Sequence, residues 1–264
     1  DGGEGMLEAI LQNAKGHRVS VEVHDPLMNL IEAQYGILDD GKTAIIEMAQ
    51  AAGLPLVPKE KRNPLLTTTF GVGEFIKEAL LKGCRKFIVG IGGSATNDAG
   101  MGMLQALGFS FLDKEGNEVG LGGGALRDVV RIDTSKALSA LRECTFTIAC
   151  DVDNPMYGER GAAHIYSRQK GASEADVLLL DAHVKHFAEV IEKDQKQAEH
   201  WNTQAESLKN NIQKWLWSAE KNLYLDSYGS TKCSQQTQVY AMMYNLVKSG
   251  NKAEMTDKVA GMNC

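Results

Sequence analysis

Apolar and polar positions change period several times along this chain, and each change predicts an element. Leu7, Ile10, Leu11 and Ala14 recur at helical spacing and predict a short helix. Val19, Val21 and Val23, then Ile31, Ala33, Tyr35 and Ile37, alternate residue by residue, as half-buried strands do, with DPLMN at 25–29 the turn between them. A further apolar strand, Ala44 to Met48, runs into the Pro-punctuated stretch GLPLVPKEKRNP, which predicts a loop. Val72, Phe75, Ile76, Ala79 and Leu80 return to helical spacing, with Thr69 placed to cap the helix. RKFIVGIGG then reads as a short buried strand ending in Gly, and residues 98–107 as a helix. Strand, Gly turn and helix in that order define a layered α/β domain.

Beyond Gly108 the pattern predicts a strand at Phe109 to Leu112, a turn at DKEGN, a second Gly cluster in GLGGGALRD, and a strand from Cys144 to Cys150 ending in CDVDNP. Val177, Leu180, Val184, Phe187 and Ile191, spaced 3, 4, 3 and 4, predict an amphipathic helix. The texture then changes. Ala205, Leu208, Ile212 and Trp215 share one helical face, and SQQTQVYAMMYNLVKSG predicts another helix ended by Gly250. All five Pro and all but three of the 27 Gly lie at or before Gly171, whereas all three Trp lie after residue 200. That shift predicts a boundary, with an α/β part at 1–193 and a helical part at 194–264.

Composition narrows the function classes. With 264 residues, 43% hydrophobic and 23% charged, the chain has globular composition. A net charge of −6 argues against nucleic acid or an anionic membrane as partner. No stretch approaches the roughly 20 apolar residues of a membrane span, and DGGEGMLEAI lacks the basic and apolar regions of a leader, so a cytoplasmic protein is expected. Asp at position 1, in place of Met, is expected of a fragment or a processed chain. Five scattered cysteines without a C-x-x-C suit reduced thiols better than disulfides or zinc.

The chemistry gathers around FIVGIGGSATNDAGMG. A strand that ends in Gly and turns into a helix aims backbone N–H groups and the positive helix end at one point, which attracts phosphate. Gly90, Gly92 and Gly93 permit the turn, Ser94 and Thr96 add hydroxyls, and Asn97 and Asp98 stand at the helix start. A tight connector with an ordinary cap is the competing account. GIGGSA fits the permissive dinucleotide pattern, with Asp113 where a ribose-binding acid would sit. The polar TNDAG that follows is costly to bury unless it binds something. Gly122 to Gly124 form either a second anion-binding helix start or a flexible turn. Asp151 and Asp153 lie at a strand end, where α/β proteins collect ligand-binding side chains, or are solvated turn acids. Arg168 and Lys170 in SRQKG are candidates to neutralise phosphate oxygens. Six histidines form no metal or catalytic spacing, His183 and His186 being expected as solvated helix residues, and no G-x-S-x-G is present.

DGGEG, NPLLTTTFGVGEFIKEALLKGCRKFIVGIGGSATNDAGMGMLQALG, GGGAL, CDVDNP and QKGA together resemble the bacterial type I glycerate kinases over residues 1 to about 193. The resemblance implies two α/β domains, one Rossmann-like and one of mixed strands, around a cleft, and phosphorylation of D-glycerate from ATP with Mg²⁺, the 2-phospho product favoured. Carried onto this sequence, the family's motifs imply binding residues at Asp1, Glu4, Thr68, Thr69, Gly92, Gly93, Ser94, Thr96, Asn97, Gly123 and Gly124. They imply catalytic roles for Asp98, for Asp153 as second choice, and for Lys170, with Asp151 toward Mg²⁺. Direct in-line attack by a glycerate hydroxyl, with no covalent enzyme intermediate, is the implied mechanism.

The sequence departs from the family pattern. The segment usual before DGGEG, with the first Rossmann-like strand, and the large C-terminal portion have no counterpart, so the Rossmann-like part is expected to be incomplete. Met6 stands where Thr is usual, and Tyr166, Ser167 and Arg168 replace Phe-Gly-Pro. The tail, about 198–264, resembles instead the helical domain of α-L-rhamnosidase-type glycoside hydrolases, without the paired acids that hydrolysis needs. Two resemblances meeting near 194–200 predict a chimeric chain. An inert fragment that binds an anion or forms a homo-oligomer through a sheet edge, an NAD-dependent oxidoreductase and a carbohydrate hydrolase stand as alternatives.

Overall fold

A computed structural model describes residues 3–150, 152–218, 220–221 and 223–224. The chain divides into two compact units, Asp1–Asp194 and Gln195–Cys264.

In the first unit, helix α1 (Met6–Asn13) leads into β1 (Gly16–His24), β2 (Leu30–Leu38) and β3 (Thr43–Glu47). β1 pairs antiparallel with β2 in a register that sets Val19 opposite Tyr35 and Val21 opposite Ala33, so the two alternating rows share one face. β2 pairs antiparallel with β3. From β3 onward the sheet is parallel, through β4 (Lys86–Gly90) to β7 (Thr145–Ala149), in the order β1-β2-β3-β4-β7. All five residues of β3 are buried. The reason is that both its faces are covered: Ala44 and Ile46 join Tyr35, Phe75 and Phe87 in the main core, while Ile45 packs with Met6 and Leu7 of α1.

Helix α2 (Ala49–Ala52) and helix α3 (Phe70–Leu81) cover the main-core face, and α3 buries Val72, Phe75, Ile76, Ala79 and Leu80 as its spacing predicts. Helix α4 (Met101–Ala106) begins three residues later than the predicted 98–107 helix, because Ala99 and Gly100 take left-handed φ of 50° and 77° and hold the chain out of the helix. A small antiparallel pair, β5 (Ser110–Leu112) with β6 (Arg131–Asp133), sits over a second core in which Met101, Phe111 and Leu126 meet Val184 and Phe187. Helix α5 (Ala162–Tyr166) is short. Helix α6 (Glu174–Leu216) is one continuous helix where sequence predicts separate helical stretches at 177–191 and 205–215.

In the second unit, a two-residue antiparallel pair joins β8 (Trp217–Ser218) to β9 (Leu223–Tyr224). The helix predicted at SQQTQVYAMMYNLVKSG lies outside the described residues. Among the described residues no helix is long and apolar enough to cross a membrane.

Candidate functional site

β3, β4 and β7 run parallel, and their C-terminal ends open onto a cavity of about 770 Å³ lined in turn by Met48, by Ile91 to Ser94, and by Ile148 and Cys150. Strand ends of a parallel sheet are where α/β folds leave room for ligands, because the connections there diverge.

The Gly turn forms the floor and is held from behind. Gly93 carbonyl accepts from Leu54 N at 2.9 Å, Ala95 N donates to Ala52 carbonyl at 2.8 Å, and Thr67 Oγ1 donates to Ala95 carbonyl at 2.8 Å. Gly93, at φ 72°, supplies the bend. Ser94, Thr96, Asn97 and Asp98 all reach the cavity wall. Glu4 is exposed beside this turn, its carboxylate 3.8 Å from where a Cβ on Gly93 would stand. Behind it, the buried Glu47 at the end of β3 accepts Leu7 N at 2.7 Å and so fixes the start of α1.

Asp98 is 1% exposed and serves as a clasp. Its Oδ2 accepts from Thr69 N and Thr69 Oγ1, each at 2.8 Å, and from Thr68 Oγ1 and Gly102 N, each at 3.3 Å. Its Oδ1 has one long donor, Gly100 N at 3.3 Å. The Met101 and Gly102 amides at the start of α4 are thus spent on Asp98 and the Met103 amide on Thr69 Oγ1, contrary to the helix-dipole argument from sequence. Thr69 does not cap α3: its hydroxyl bonds Asp98 and accepts Met103 N at 3.0 Å. Burial pushes the Asp98 pKa up, against the pull of its Thr69, Gly102 and Gly100 donors.

Lys170 comes from the far side, on a single 3₁₀ turn of residues Arg168–Lys170. Its side chain is buried, and Nζ donates to Ser94 Oγ at 2.9 Å and to Thr96 carbonyl at 2.7 Å. Burial drives its pKa down to about 8, opposed by the negative charge of Asp98. Gly171 permits the approach: at φ 96°, a Cβ there would stand 2.2 Å from Arg62 carbonyl. Arg168, by contrast, lies at the surface, its Nε and Nη2 on the Glu174 carboxylate at 2.7 and 2.8 Å.

The remaining predicted residues divide. Thr68 supports Asp98 without lining the cavity, and Asp153 is exposed and off the wall. Asp1 and Asp151 lie outside the described residues. The second Gly cluster is packed against protein and lies off the cavity wall: Gly123 N and Gly124 N donate to Pro64 and Leu65 carbonyls. A Cβ on Gly123 would lie 2.7 Å from Asn97 and Pro64 carbonyl oxygens. His183 is buried with Nδ1 3.2 Å from Gly123 carbonyl, and His186 Nε2 lies 2.7 Å from Val129 carbonyl, so neither is the solvated residue expected. Asp113 accepts Glu115 N and Asn117 N in an exposed turn after β5, away from the cavity, which removes the acid that a dinucleotide loop requires.

Sequence reasoning missed Asn154 and Tyr166 as wall residues. Tyr166 Oη donates to Asn154 Oδ1 at 2.5 Å, and Asn154 Nδ2 donates to Arg160 carbonyl at 2.9 Å, tying the end of α5 to the loop that follows β7. The Asn-Pro after the strand-end acids was the available signal.

A mixed α/β sheet with a cavity at its parallel strand ends, lined by one buried lysine among the described residues, defines the class: an α/β protein whose candidate site lies where parallel strands end. The profile of the Glycerate kinase family matches residues 1–207, and the chain belongs to that family. It is 50% identical over 194 residues to glycerate kinase of Halalkalibacterium halodurans, covering 74% of this chain and 51% of that relative. It is 51% identical over 193 residues to glycerate 2-kinase of Escherichia coli K12, covering 73% and 51%. Among solved structures it resembles a Salmonella typhimurium LT2 protein provisionally described as glycerate kinase 2, at TM-score 0.71 and 44% identity, covering 74% of this chain and 52% of that one. The chain thus spans about half the length of the curated relatives it matches. A second profile, described as Trehalase, matches residues 172–262, in place of the rhamnosidase type expected for the tail.

Proposed function

We propose that this cavity takes ATP and D-glycerate and transfers the γ-phosphoryl group to a glycerate hydroxyl, with 2-phosphoglycerate as product. The observation that carries this reading is the meeting of Lys170 with Ser94 and Thr96: a buried ammonium fixed on the Gly turn, inside a cavity, in a chain of the glycerate kinase family. A buried cation with neutral partners suits an anionic ligand, and the turn lets oxygens approach the backbone closely. The residues present fit a nucleotide's phosphates in this respect. Mg²⁺, bound with nucleotide, would neutralise phosphate charge and needs only one or two protein carboxylates. Asp98 is the carboxylate on the described wall.

In the reaction the glycerate oxygen forms a bond to the γ-phosphorus, the bond from that phosphorus to the β,γ-bridging oxygen breaks, and ADP leaves. Asp98 Oδ1, which holds a single long donor, is proposed to orient the attacking hydroxyl and accept its proton. Asn97 and Ser94 are proposed to place the phosphoryl oxygens. The protein's contribution is alignment and charge placement, with no covalent intermediate. We keep the two-part organisation, 1–193 and 194–264, as a further proposal, tested by sequencing genomic DNA across codons 185–205.

ADP release with ATP, Mg²⁺ and D-glycerate tests the function. Glycerate-dependent release is expected, falling at least about 100-fold in Asp98→Asn, with phosphorus NMR locating the new ester at the 2-position. Equal background rates in both proteins would overturn the reading.

A further inference from the structure

Lys170 is 7% exposed, yet among the described residues no carboxylate lies within ion-pair distance of its ammonium. An ammonium has three N–H groups. Two are used, on Ser94 Oγ and Thr96 carbonyl, both uncharged, and the side chain lines the cavity. The negative charge that acts on it is Asp98, whose Oδ2 already accepts from four donors. No other Lys, Arg or His lines the cavity among the described residues. The other titratable groups on the wall are Cys150 and Tyr166; Arg168, two residues before Lys170, is engaged with Glu174 at the surface. A buried charge without a counter-charge is costly, and its neutral form or an incoming anion relieves that cost.

We propose that Lys170 is the anion-receiving group of this cavity and takes up a proton as a phosphate or carboxylate oxygen enters, so that anion binding and Lys170 protonation are one coupled event. The balance is simple: one proton moves from solvent to Nζ, and no covalent bond to the ligand forms. Affinity then weakens as pH rises through the range where the empty site loses its proton, about 8. The proposal rests on the phosphotransferase reading only in the choice of probes.

Calorimetric titrations of the whole chain with ADP, D-glycerate and inorganic phosphate, each alone, test it. They are run in two buffers of different ionisation enthalpy, at pH 6.5 and 8.5. At least one probe is expected to bind with a Lys170-linked uptake, read as the difference between the parent and Lys170→Arg so that the phosphates' own titration cancels, of a substantial fraction of a proton at pH 8.5 and almost none at pH 6.5, and which probe does so tells a phosphate source from a carboxylate one. Lys170→Arg keeps the charge but cannot titrate in this range, so whatever affinity it retains is expected to show no uptake at pH 8.5. Lys170→Met is expected to lose at least about tenfold in affinity. Uptake that persists in Lys170→Arg, unchanged affinity in Lys170→Met, or no binding of any probe overturns the proposal. Should both variants fail to fold, the two-pH comparison on the parent chain decides. Kinase activity without Lys170-linked uptake would sink this inference alone; linked uptake without activity would sink the kinase reading alone.

Discussion

Two glycine clusters, Gly90-Ile91-Gly92-Gly93 and Gly122-Gly123-Gly124, look alike in sequence and do opposite work. The first sits at the ends of parallel strands, is held from behind by Leu54, Ala52 and Thr67, and faces a cavity. The second faces protein: its amides are spent on Pro64 and Leu65, and its middle glycine is there because two backbone oxygens and Leu180 leave no room for a Cβ. A Gly-rich stretch therefore reports that a backbone is crowded or bent. Whether the crowding partner is a ligand or the protein itself depends on where the fold puts the cluster.

The largest expected effect comes from removing the clasp beneath the first cluster. Asp98→Ala leaves the Thr69 and Gly102 amides and two threonine hydroxyls without their acceptor in a buried place. Each such group costs on the order of 1–3 kcal/mol, so a loss of roughly 3–5 kcal/mol is expected in urea unfolding. A loss below about 1 kcal/mol would show that the clasp does not organise the site.

Substituting the two clusters in parallel separates them directly. Gly123→Ala forces a Cβ to within 2.7 Å of Asn97 and Pro64 carbonyls, and a cost of roughly 1–3 kcal/mol is expected. Any rise in ATP KM is expected to come through the displaced Asn97 backbone and to stay smaller than that of the Gly93 variant, since this cluster itself is off the cavity wall. Gly93→Ala meets space but must hold φ 72°, costing about 1–2 kcal/mol, and is expected to lower kcat/KM far more than that stability change implies. Equal effects on kcat/KM from both would erase the distinction.

The pH dependence of stability probes the cation above the first cluster. Lys170 has a folded pKa near 8 against an ordinary 10.5, so between these values the unfolded chain holds more protons than the folded one. Stability from this group therefore rises with pH across the window, the full cost of the buried charge being present below it. Relative to Lys170→Met, the parent is expected to gain roughly 1–2 kcal/mol between pH 7.5 and 9.5 in phosphate-free buffer. No difference in slope between the two would mean the ammonium is better solvated than its surroundings imply.

What the sequence made legible follows from range. Val19 to Val23 against Ile31 to Ile37, and Val72 to Leu80, were readable because a period of two or of 3.6 is written in neighbouring residues. The Gly turn was readable because its glycines and polar residues are contiguous. The helix start at 101 was not, because it rests on left-handed Ala99, a residue type that gives no notice of that conformation. The roles of Asp98, His183 and His186 were hidden for another reason. Their partners include backbone amides and carbonyls, which leave no side-chain signature. Lys170 was named from a motif, but its partners Ser94 and Thr96 lie some 75 residues back, and nothing in local spacing encodes that meeting.

The smallest effect is expected two residues from Lys170. In sequence Arg168 and Lys170 are equal candidates for an anion, yet folding separates them completely. The 3₁₀ turn and Gly171 send Lys170 inward, while Arg168 pairs two-pronged with Glu174 where the side chains are 48% and 78% exposed. The guanidinium is thus engaged outside the cavity, and a surface pair of this kind contributes about 0–1 kcal/mol. Arg168→Ala is expected to shift stability by no more than that and to leave the ADP and glycerate affinities within about twofold. A tenfold loss of affinity instead would place the anion at the rim, on Arg168, and take from Lys170 the role that its burial and its open N–H assign to it.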